Sequence, residues 1–326
     1  MSAKKSSEIT TDHAGYHEAA ALWRRAATCR CTRTEYFEPL VAGVLRHGTS
    51  FERIARGLEP LESTDVPTIL LTGFDPFGRP GEPLPEDAWN PSAVVASLHA
   101  ETERGLRLES AIVPVSYDWF DTGAIERLVN DRLPNLVGII SVSMGRRGVD
   151  EPCRLERFVT GVRLLGDLHL HSELPIERHR PSRVQVPSTT NFCGAPVYES
   201  RLDLSAPQGF TVGDQIEVGG DDDARMLTCE ESAAWVGSEW TDGTMMARGL
   251  DQVALRSGPG GWFLSNEISY RIHRELDRLG SSIPSVHVHT PNGGSCVERD
   301  VVDELSDRLR GDLRRLIRSC TWGSQA

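Results

Sequence analysis

The chain lacks several features that would assign it to particular classes of protein. It has no excess of basic residues, since 35 lysines and arginines face 47 aspartates and glutamates, for a formal net charge of −12. Surfaces that bind nucleic acid or anionic membranes need clustered Lys and Arg, so neither partner is expected. No apolar run approaches the roughly 20 residues of a membrane span. Residues 1–12 are polar and lack the apolar segment of a secretory signal. We therefore expect a cytoplasmic protein.

Cysteine pairs and metal-binding patterns are also missing. The seven cysteines are an odd number and are scattered without the spacing of a disulfide framework, so reduced thiols are expected. The acidic run at 221–223 lacks the spaced ligands and the terminal Glu of a calcium loop. The sequence therefore predicts no bound cofactor and no metal.

Hydrophobic residues make up 39% of the 326 residues, which is enough for a sizeable core. The chain divides into two parts. Residues 1–65 are predicted to form a helical N-terminal extension, and residues 66–326 the main domain. Within that domain, the stretch at about 161–256 is rich in Gly, Asp, Ser and Pro and is interpreted as an enlarged irregular region.

Strand and helix patterns alternate along the main domain. Buried strands are predicted at 68–72, 106–115, 136–142 and 285–289, and helices at 121–133, 268–279, 297–313 and after Asn90. Repeated strand–helix–strand units are typical of a mainly parallel sheet with helices on both faces. The predicted fold is therefore α/β, a three-layer αβα sandwich with a mainly parallel central sheet, plus the helical extension.

One serine has a position that suits catalysis. Ser265 lies between a glycine-rich turn at 257–261 and the start of a helix, where the helix dipole and backbone N–H groups favour negative charge. Because serine is also a preferred N-cap, a purely structural role is the alternative interpretation. With Glu156 upstream and His289 downstream, the chain contains the hydroxyl, imidazole and carboxylate of an activated nucleophile.

Several segments resemble those of the pyroglutamyl peptidase type I family, also called pyrrolidone-carboxylate peptidase, a family of cysteine peptidases with an αβα sandwich fold. The similar segments are TGFDPFG at 72–78, NPS at 90–92, VPVSY at 113–117, LER at 155–157, GWFLSN at 261–266 and VHTP at 288–291. The resemblance implies that Glu156 is the catalytic glutamate and His289 the catalytic histidine. It also implies that Ser265 stands in the place of the catalytic cysteine.

The resemblance also implies a substrate pocket. At several positions, this chain differs from the family. Substrate-binding positions are Phe74, Phe77, Ile112, Phe263 and Leu264. The family usually offers a glutamine where this chain has Ile112, and isoleucine cannot hydrogen-bond a lactam, so a changed substrate is expected. Trp262 adds bulk beside the serine. A serine hydroxyl needs a base during attack, whereas a thiol with a pKa of about 8.5 supplies thiolate near neutrality.

These residues predict an amide-bond hydrolase or acyl-transfer enzyme with a Ser265–His289–Glu156 arrangement and a small-molecule or peptide amide as substrate. One alternative is a catalytically degenerate member that serves as a binding or assembly module. A second alternative is a metallohydrolase that uses His287, His289 and Glu156, because the two histidines would share one face of a strand. Further alternatives are a relocated nucleophile at Cys153 or Cys296, and an anion-binding role for Arg146 and Arg147. The sequence is compatible with a homo-oligomer.

Overall fold

The computed structural model describes most of the chain. The described residues are 13–28, 31–61, 65–77, 88–145, 148–163, 184–185, 197–205, 207–218, 225–233, 239–241, 244–246, 255–257, 263–292 and 298–323. Trp262, Cys296, Arg146 and the run at 221–223 lie outside these residues, as do most of the glycine-rich turn at 257–261 and much of the irregular region at 161–256.

A seven-stranded sheet forms the centre of the molecule, with the strand order β10-β5-β16-β4-β1-β3-β2. The strands in this sheet are β1 (Thr68–Phe74), β2 (Thr102–Glu103), β3 (Leu106–Val113), β4 (Leu136–Met144), β5 (Arg154–Glu156), β10 (Thr211–Gly213) and β16 (Ser285–Thr290). The four strands β3, β1, β4 and β16 are mutually parallel. Strand β5 is antiparallel to β16 and parallel to β10, and β2 is antiparallel to β3. The sheet is therefore mainly parallel, as the strand–helix alternation predicted.

The remaining described strands are short and form separate two- and three-stranded sheets. They are β6 (Phe158–Thr160), β7 (Val162–Arg163), β8 (Val184–Gln185), β9 (Val197–Glu199), β11 (Glu217–Val218), β12 (Arg225–Met226), β13 (Glu239–Thr241), β14 (Thr244–Met246) and β15 (Leu255–Ser257). Of these, β6 and β9 contact helix α7, where the rings of Tyr198 and Tyr270 lie 5.4 Å apart. The irregular region thus helps to bury α7.

The helices are α1 (His13–Thr28), α2 (Glu38–His47), α3 (Thr49–Ala55), α4 (Tyr117–Asp121), α5 (Ala124–Asn130), α6 (Cys229–Ala233), α7 (Leu264–Arg278) and α8 (Arg299–Ser319). A π-helical turn (Arg33–Phe37) and two 3-10 helices (Pro91–Leu98 and Leu133–Asn135) complete the described helical segments. The sequence pattern predicts an ordinary helix after Asn90. In the structure this segment is a 3-10 helix that packs directly on β1, where the Ser92 carbonyl oxygen fills the space that a Cβ at Gly73 would need. In the described part of the chain, no helix combines the length and apolar character needed to cross a bilayer.

Two hydrophobic cores, one on each face of the sheet, define the three layers. Ile69, Leu71, Ile112, Val286 and Val288 pack in one core with α1, α2, α3, the 91–98 helix and α8. Leu70, Ala111, Val113 and Ile139 pack in the other core with α5 and α7. Because neighbouring side chains on a strand point to opposite faces, each central strand supplies both cores. The predicted αβα arrangement is confirmed.

The N-terminal helices share a core with the sheet and are joined to it by buried polar contacts. The Arg56 guanidinium is fully buried and donates to Asp75 Oδ2 at 2.7 Å and to Glu52 Oε1 at 2.8 Å. Arg132, in the main domain, donates to the carbonyl oxygens of Gly57 and Leu58. The helices before residue 61 are thus part of the same folded body, while the domain boundary placed at residue 65 stays a prediction.

Candidate active site

A row of polar side chains crosses the centre of the sheet on the face that packs against α7. The strand register places Thr72 beside Ser141, Ser141 beside His287, and His287 beside Glu156. One step toward the carboxyl ends of the parallel strands, Ser143 lies beside His289 and His289 beside Arg154. All of these residues except Arg154 are buried. Buried polar groups usually have hydrogen-bond partners within the protein. Here the serines bond to His287, and His289 and Arg154 bond to Glu156, whereas Thr72 Oγ1 has no partner among the described residues.

The two histidines of β16 point to the same face, as their alternation with valine predicted. Val286 and Val288 lie in the core on the opposite face. The rings of His287 and His289 stand edge to face, with centroids 4.7 Å apart. The period-2 geometry of a strand is sufficient to explain this arrangement.

His289 is hydrogen-bonded to the glutamate that the sequence paired with it. Its Nδ1 lies 2.5 Å from Glu156 Oε1. The same oxygen accepts a second hydrogen bond, from Arg154 Nε at 2.7 Å. Glu156 is 1% exposed, and Oε2 has no hydrogen-bond partner among the described residues. A carboxylate on Nδ1 fixes the orientation of the imidazole and leaves Nε2 to exchange protons.

His287 has a different environment from its neighbour. Its Nδ1 lies 2.8 Å from Ser141 Oγ and its Nε2 lies 2.8 Å from Ser143 Oγ. Burial lowers the pKa of His287 well below its usual value, and the nearby His289 and Arg154 lower it further. His287 is therefore a neutral imidazole, with one ring nitrogen donating to a serine and the other accepting from a serine.

These contacts do not favour the metallohydrolase alternative. Both nitrogens of His287 are engaged by serines, and Nδ1 of His289 is engaged by Glu156. Among the described residues, no group of three or more His, Cys, Asp or Glu side chains is arranged to hold a metal ion. The geometry therefore assigns His289 and Glu156 to a hydrogen-bonded pair.

Ser265 is the second residue of α7, and it is partly buried. The N-cap position is occupied by Phe263, which makes no side-chain capping bond. Ser265 is therefore not the N-cap of α7, which was the alternative interpretation of its position. Ser265 instead lies in the first turn, where the partial positive charge of the helix is concentrated.

The connectivity places the start of α7 at the same end of the sheet as His289. A short connection, residues 279–284, joins the end of α7 to the start of β16, and the two elements contact each other. The 15 residues of α7 span about 22 Å, and the six residues of β16 span about 20 Å. The first turn of α7 and the last residues of β16 therefore lie at one edge. The hydrogen bond between Ser265 and His289 stays a prediction.

Four of the five predicted substrate-binding residues lie on this side of the sheet or at the start of α7. Phe74 and Leu264 belong to the core on the α7 side of the sheet, and Phe77 packs against it. The Phe74 ring stacks on Phe120 at 6.3 Å. Phe263 is the partly buried N-cap of α7. Ile112 is different, because its side chain is fully buried in the core on the opposite face. In this structure Ile112 cannot line a pocket beside Ser265, so it does not explain a changed substrate.

The signature segment at 72–78 is held by contacts that the sequence did not reveal. Asn90 Nδ2 donates to the Asp75 carbonyl at 2.9 Å, and Ser92 Oγ accepts from the Phe74 amide at 2.9 Å. The Asp75 carboxylate pairs with Arg56 from the N-terminal helices. Burial raises the pKa of Asp75 to about 6, although Arg56 opposes that shift. The asparagine and serine of the NPS segment thus anchor the end of β1, which carries Phe74.

Other candidate nucleophiles are less suitable. Cys153 is buried, and burial and the neighbouring Asp312 raise the pKa of its thiol. Its Sγ lies 3.7 Å from Asp312 Oδ2. A thiol with a raised pKa provides little thiolate and is a poor nucleophile. Cys153 is therefore a structural residue.

Sequence reasoning missed Arg154, Ser141 and Ser143. A signal was present, since Arg154 and Glu156 are two residues apart on a strand, and so are Ser141 and Ser143. Each pair therefore had to share a face. Arg56 had no such signal, because its partner Asp75 is 19 residues away and belongs to another element.

The chain resembles solved structures of pyrrolidone carboxyl peptidases at low sequence identity. No protein-family model and no curated protein matches the sequence. A mutant pyrrolidone carboxyl peptidase from Pyrococcus furiosus is 14% identical, with a TM-score of 0.46 over 77% of this chain and 97% of the other. Pyroglutamyl peptidase I from Bacillus amyloliquefaciens is 17% identical, with a TM-score of 0.45 over 78% and 95%. The pyrrolidone carboxyl peptidase of Fervidobacterium islandicum is 18% identical, with a TM-score of 0.45 over 77% and 99%. All three scores are below 0.5, and the chemistry of the site is therefore inferred from the site's own residues.

Proposed function

We propose that this protein is an amide-bond hydrolase or acyl-transfer enzyme with Ser265 as nucleophile, His289 as general base and Glu156 as the group that orients the imidazole. The supporting observation is the buried hydrogen bond between Glu156 and His289 at the sheet edge where α7 begins. A hydroxyl, an imidazole and a carboxylate are the parts of a serine acyl-transfer site. The proposed substrate is a small molecule or peptide that contains an amide.

The reaction would proceed in two halves. Ser265 Oγ attacks the carbonyl carbon while Nε2 of His289 takes the hydroxyl proton, and the imidazolium is stabilised by Glu156. The positive end of α7 stabilises the negative charge on the carbonyl oxygen. His289 then gives its proton to the leaving amine, which departs as the C–N bond breaks. Water, deprotonated by His289, releases the acid from the ester and restores Ser265.

The proposed substrates are small amides, pyroglutamyl amides among them. Phe74 and Leu264 belong to the apolar core on the α7 side of the sheet and Phe77 packs against it, and an apolar wall of this kind suits a compact acyl group. Since Ile112 lies in the opposite core, its identity carries no information about the pocket. A pyroglutamyl amide therefore belongs in the substrate panel on equal terms with other small amides.

The test compares native protein with Ser265→Ala and with a matched control, Ser269→Ala. Ser269 lies one turn further along α7, is buried, and does not belong to the proposed site. We expect native protein and the control to hydrolyse at least one chromogenic amide. Ser265→Ala should lose about 10³-fold or more in kcat/KM. Equal rates for Ser265→Ala and native protein would remove this serine from the mechanism.

The degenerate-peptidase alternative makes a different prediction in the same experiment. It expects a small amide to raise the melting temperature of native protein and of Ser265→Ala equally, without product from either. Retention of the Glu156–His289 hydrogen bond favours the enzyme, because binding alone does not need an oriented imidazole. Labelling of Ser265 by a fluorophosphonate would separate the two functions even before a substrate is known.

A further inference from the structure

Arg154 and His289 share one oxygen of a buried carboxylate. Arg154 Nε lies 2.7 Å from Glu156 Oε1, and His289 Nδ1 lies 2.5 Å from the same atom. The Arg154 side chain is 27% exposed, whereas that of Glu156 is fully buried. Arg154 is also the cross-strand partner of His289 in the β5–β16 pairing. The guanidinium, the carboxylate and the imidazole therefore form one compact charged group.

This arrangement changes what Glu156 does to the imidazole. A buried carboxylate whose only partner is an imidazole strongly favours the protonated, cationic ring. A guanidinium is always charged, so on the same oxygen it offsets the negative charge and opposes a second cation nearby. The hydrogen bond that orients His289 is retained, but its preference for imidazolium is reduced.

The chemistry of the nucleophile makes this difference important. A cysteine site can operate with an imidazolium beside a pre-formed thiolate. A serine site cannot, because the imidazole must be neutral before it can accept the hydroxyl proton. A residue that keeps the ring neutral therefore has particular value beside Ser265.

We infer that Arg154 is a positioning residue that shares the Glu156 carboxylate with His289 and keeps the imidazole in its neutral, proton-accepting form. This inference rests on the proposed function and deepens it. It adds Arg154 to the three residues of the proposed site, and the role of Arg154 there is to control the charge of the Glu156–His289 pair.

The other groups around His289 do not supply this effect. On its own strand His287 is a neutral neighbour, and on β4 the adjacent residue is Ser143, which is uncharged. On β5 the charged groups are Glu156 and Arg154 themselves. The first acidic residue of α7, Glu267, is paired with Arg271 at 2.8 Å. Among the described residues at the site, Arg154 is thus the cation directly paired with Glu156.

The experiment measures the proton titration of the His289 ring by NMR in native protein, Arg154→Met and Arg154→Lys, with the signal assigned from a His289→Asn variant. In Arg154→Met we expect the titration midpoint to rise by about one to three pH units, since a charge within about 4–6 Å has an effect of this order. Arg154→Lys should recover most of the native midpoint. Arg157→Met is the matched control, because this half-exposed neighbour pairs with Glu199 and should leave the midpoint unchanged.

The acid limb of the rate of Ser265 acylation should move with the ring titration, with little change in KM. If the role of Arg154 were purely structural, its replacement would lower the stability of the protein without moving either midpoint. An Arg154→Met midpoint equal to the native one would overturn the inference, and Arg154→Gln serves the same purpose should the methionine variant not fold. Because the NMR titration needs no turnover, failure of this inference and failure of the proposed function are separate results.

Discussion

Replacing Asp75 by asparagine should remove a pH-dependent cost from the folded protein. The Asp75 carboxyl is fully buried and pairs with Arg56 at 2.7 Å. Burial raises its pKa from 3.8 to about 6, even though Arg56 acts in the opposite direction. A folded-state pKa above the unfolded one means that the stabilising contribution is fully present below pH 3.8. It is lost as the pH rises through 6.

The magnitude follows from the difference between the two pKa values. About two units at 1.36 kcal/mol each give about 3 kcal/mol in total, of which about 2 kcal/mol develops between pH 4 and pH 7. Because the Asp75 side chain is completely buried, solvent does not screen this effect on the free energy of unfolding. Arg56 stays charged throughout, because Glu52 lies 2.8 Å from its Nε. The stability of Asp75→Asn relative to native protein should therefore improve by about 2 kcal/mol over this pH range.

Urea unfolding followed by tryptophan fluorescence at pH 4, 5, 6 and 7 measures this difference directly. Comparison of the variant with native protein at each pH cancels the titration of all other groups. Asp307→Asn is the control, since its side chain is 77% exposed and lies outside the buried pair of Arg56 and Asp75. The opposite result would be a stability advantage of native protein over Asp75→Asn that grows with pH. It would mean that the attraction of Arg56 exceeds the cost of burying the carboxylate.

Two further predictions concern α7. Burial lowers the pKa of His273 from 6.5 to about 4, so its contribution to stability is present above pH 6.5 and is lost as the pH falls toward 4. Between pH 7 and pH 5, the free energy of unfolding of His273→Gln should therefore fall by about 2 kcal/mol less than that of native protein, as measured by urea unfolding. Equal decreases in the two proteins would contradict this. Asn266 makes two hydrogen bonds with the backbone of Thr160, at 2.6 and 3.0 Å. Asn266→Ala should lower the free energy of unfolding by about 2 kcal/mol or more and slow fluorophosphonate labelling of the adjacent Ser265, whereas unchanged labelling would show that this anchor does not position the serine.

Much of the fold could be predicted because its signals are local. Residues 68–72 and 136–142 are apolar runs of strand length, and the structure confirms both within β1 and β4. The alternation of histidine and valine in β16 determines that His287 and His289 share a face, because successive side chains on any strand point in opposite directions. The order of strands and helices also limits the sheet to a mainly parallel one, since a helix between two strands returns the chain to the same edge.

Other features were not predictable in this way. Ile112 lies in a strand that is buried on both faces, and such a strand has no polar face to show which side points toward the site. The antiparallel direction of β5, which brings Arg154 and Glu156 onto His289, depends on a pairing between segments more than 120 residues apart. The buried pair of Arg56 and Asp75 is likewise a contact between two elements that no local pattern links.

Three features follow from the amino-acid sequence alone: the sheet class, the alternation that gives the two histidines a common face, and the presence of a hydroxyl, an imidazole and a carboxylate. These depend on backbone periodicity and residue type, which act over a few neighbouring positions. Three other features depend on the tertiary structure. Glu156 is shared between His289 and Arg154, Ile112 packs on the face opposite Ser265, and the N-terminal helices supply the cation beside Asp75. Each of these is a contact between distant segments, set by strand register and burial once the whole core has formed.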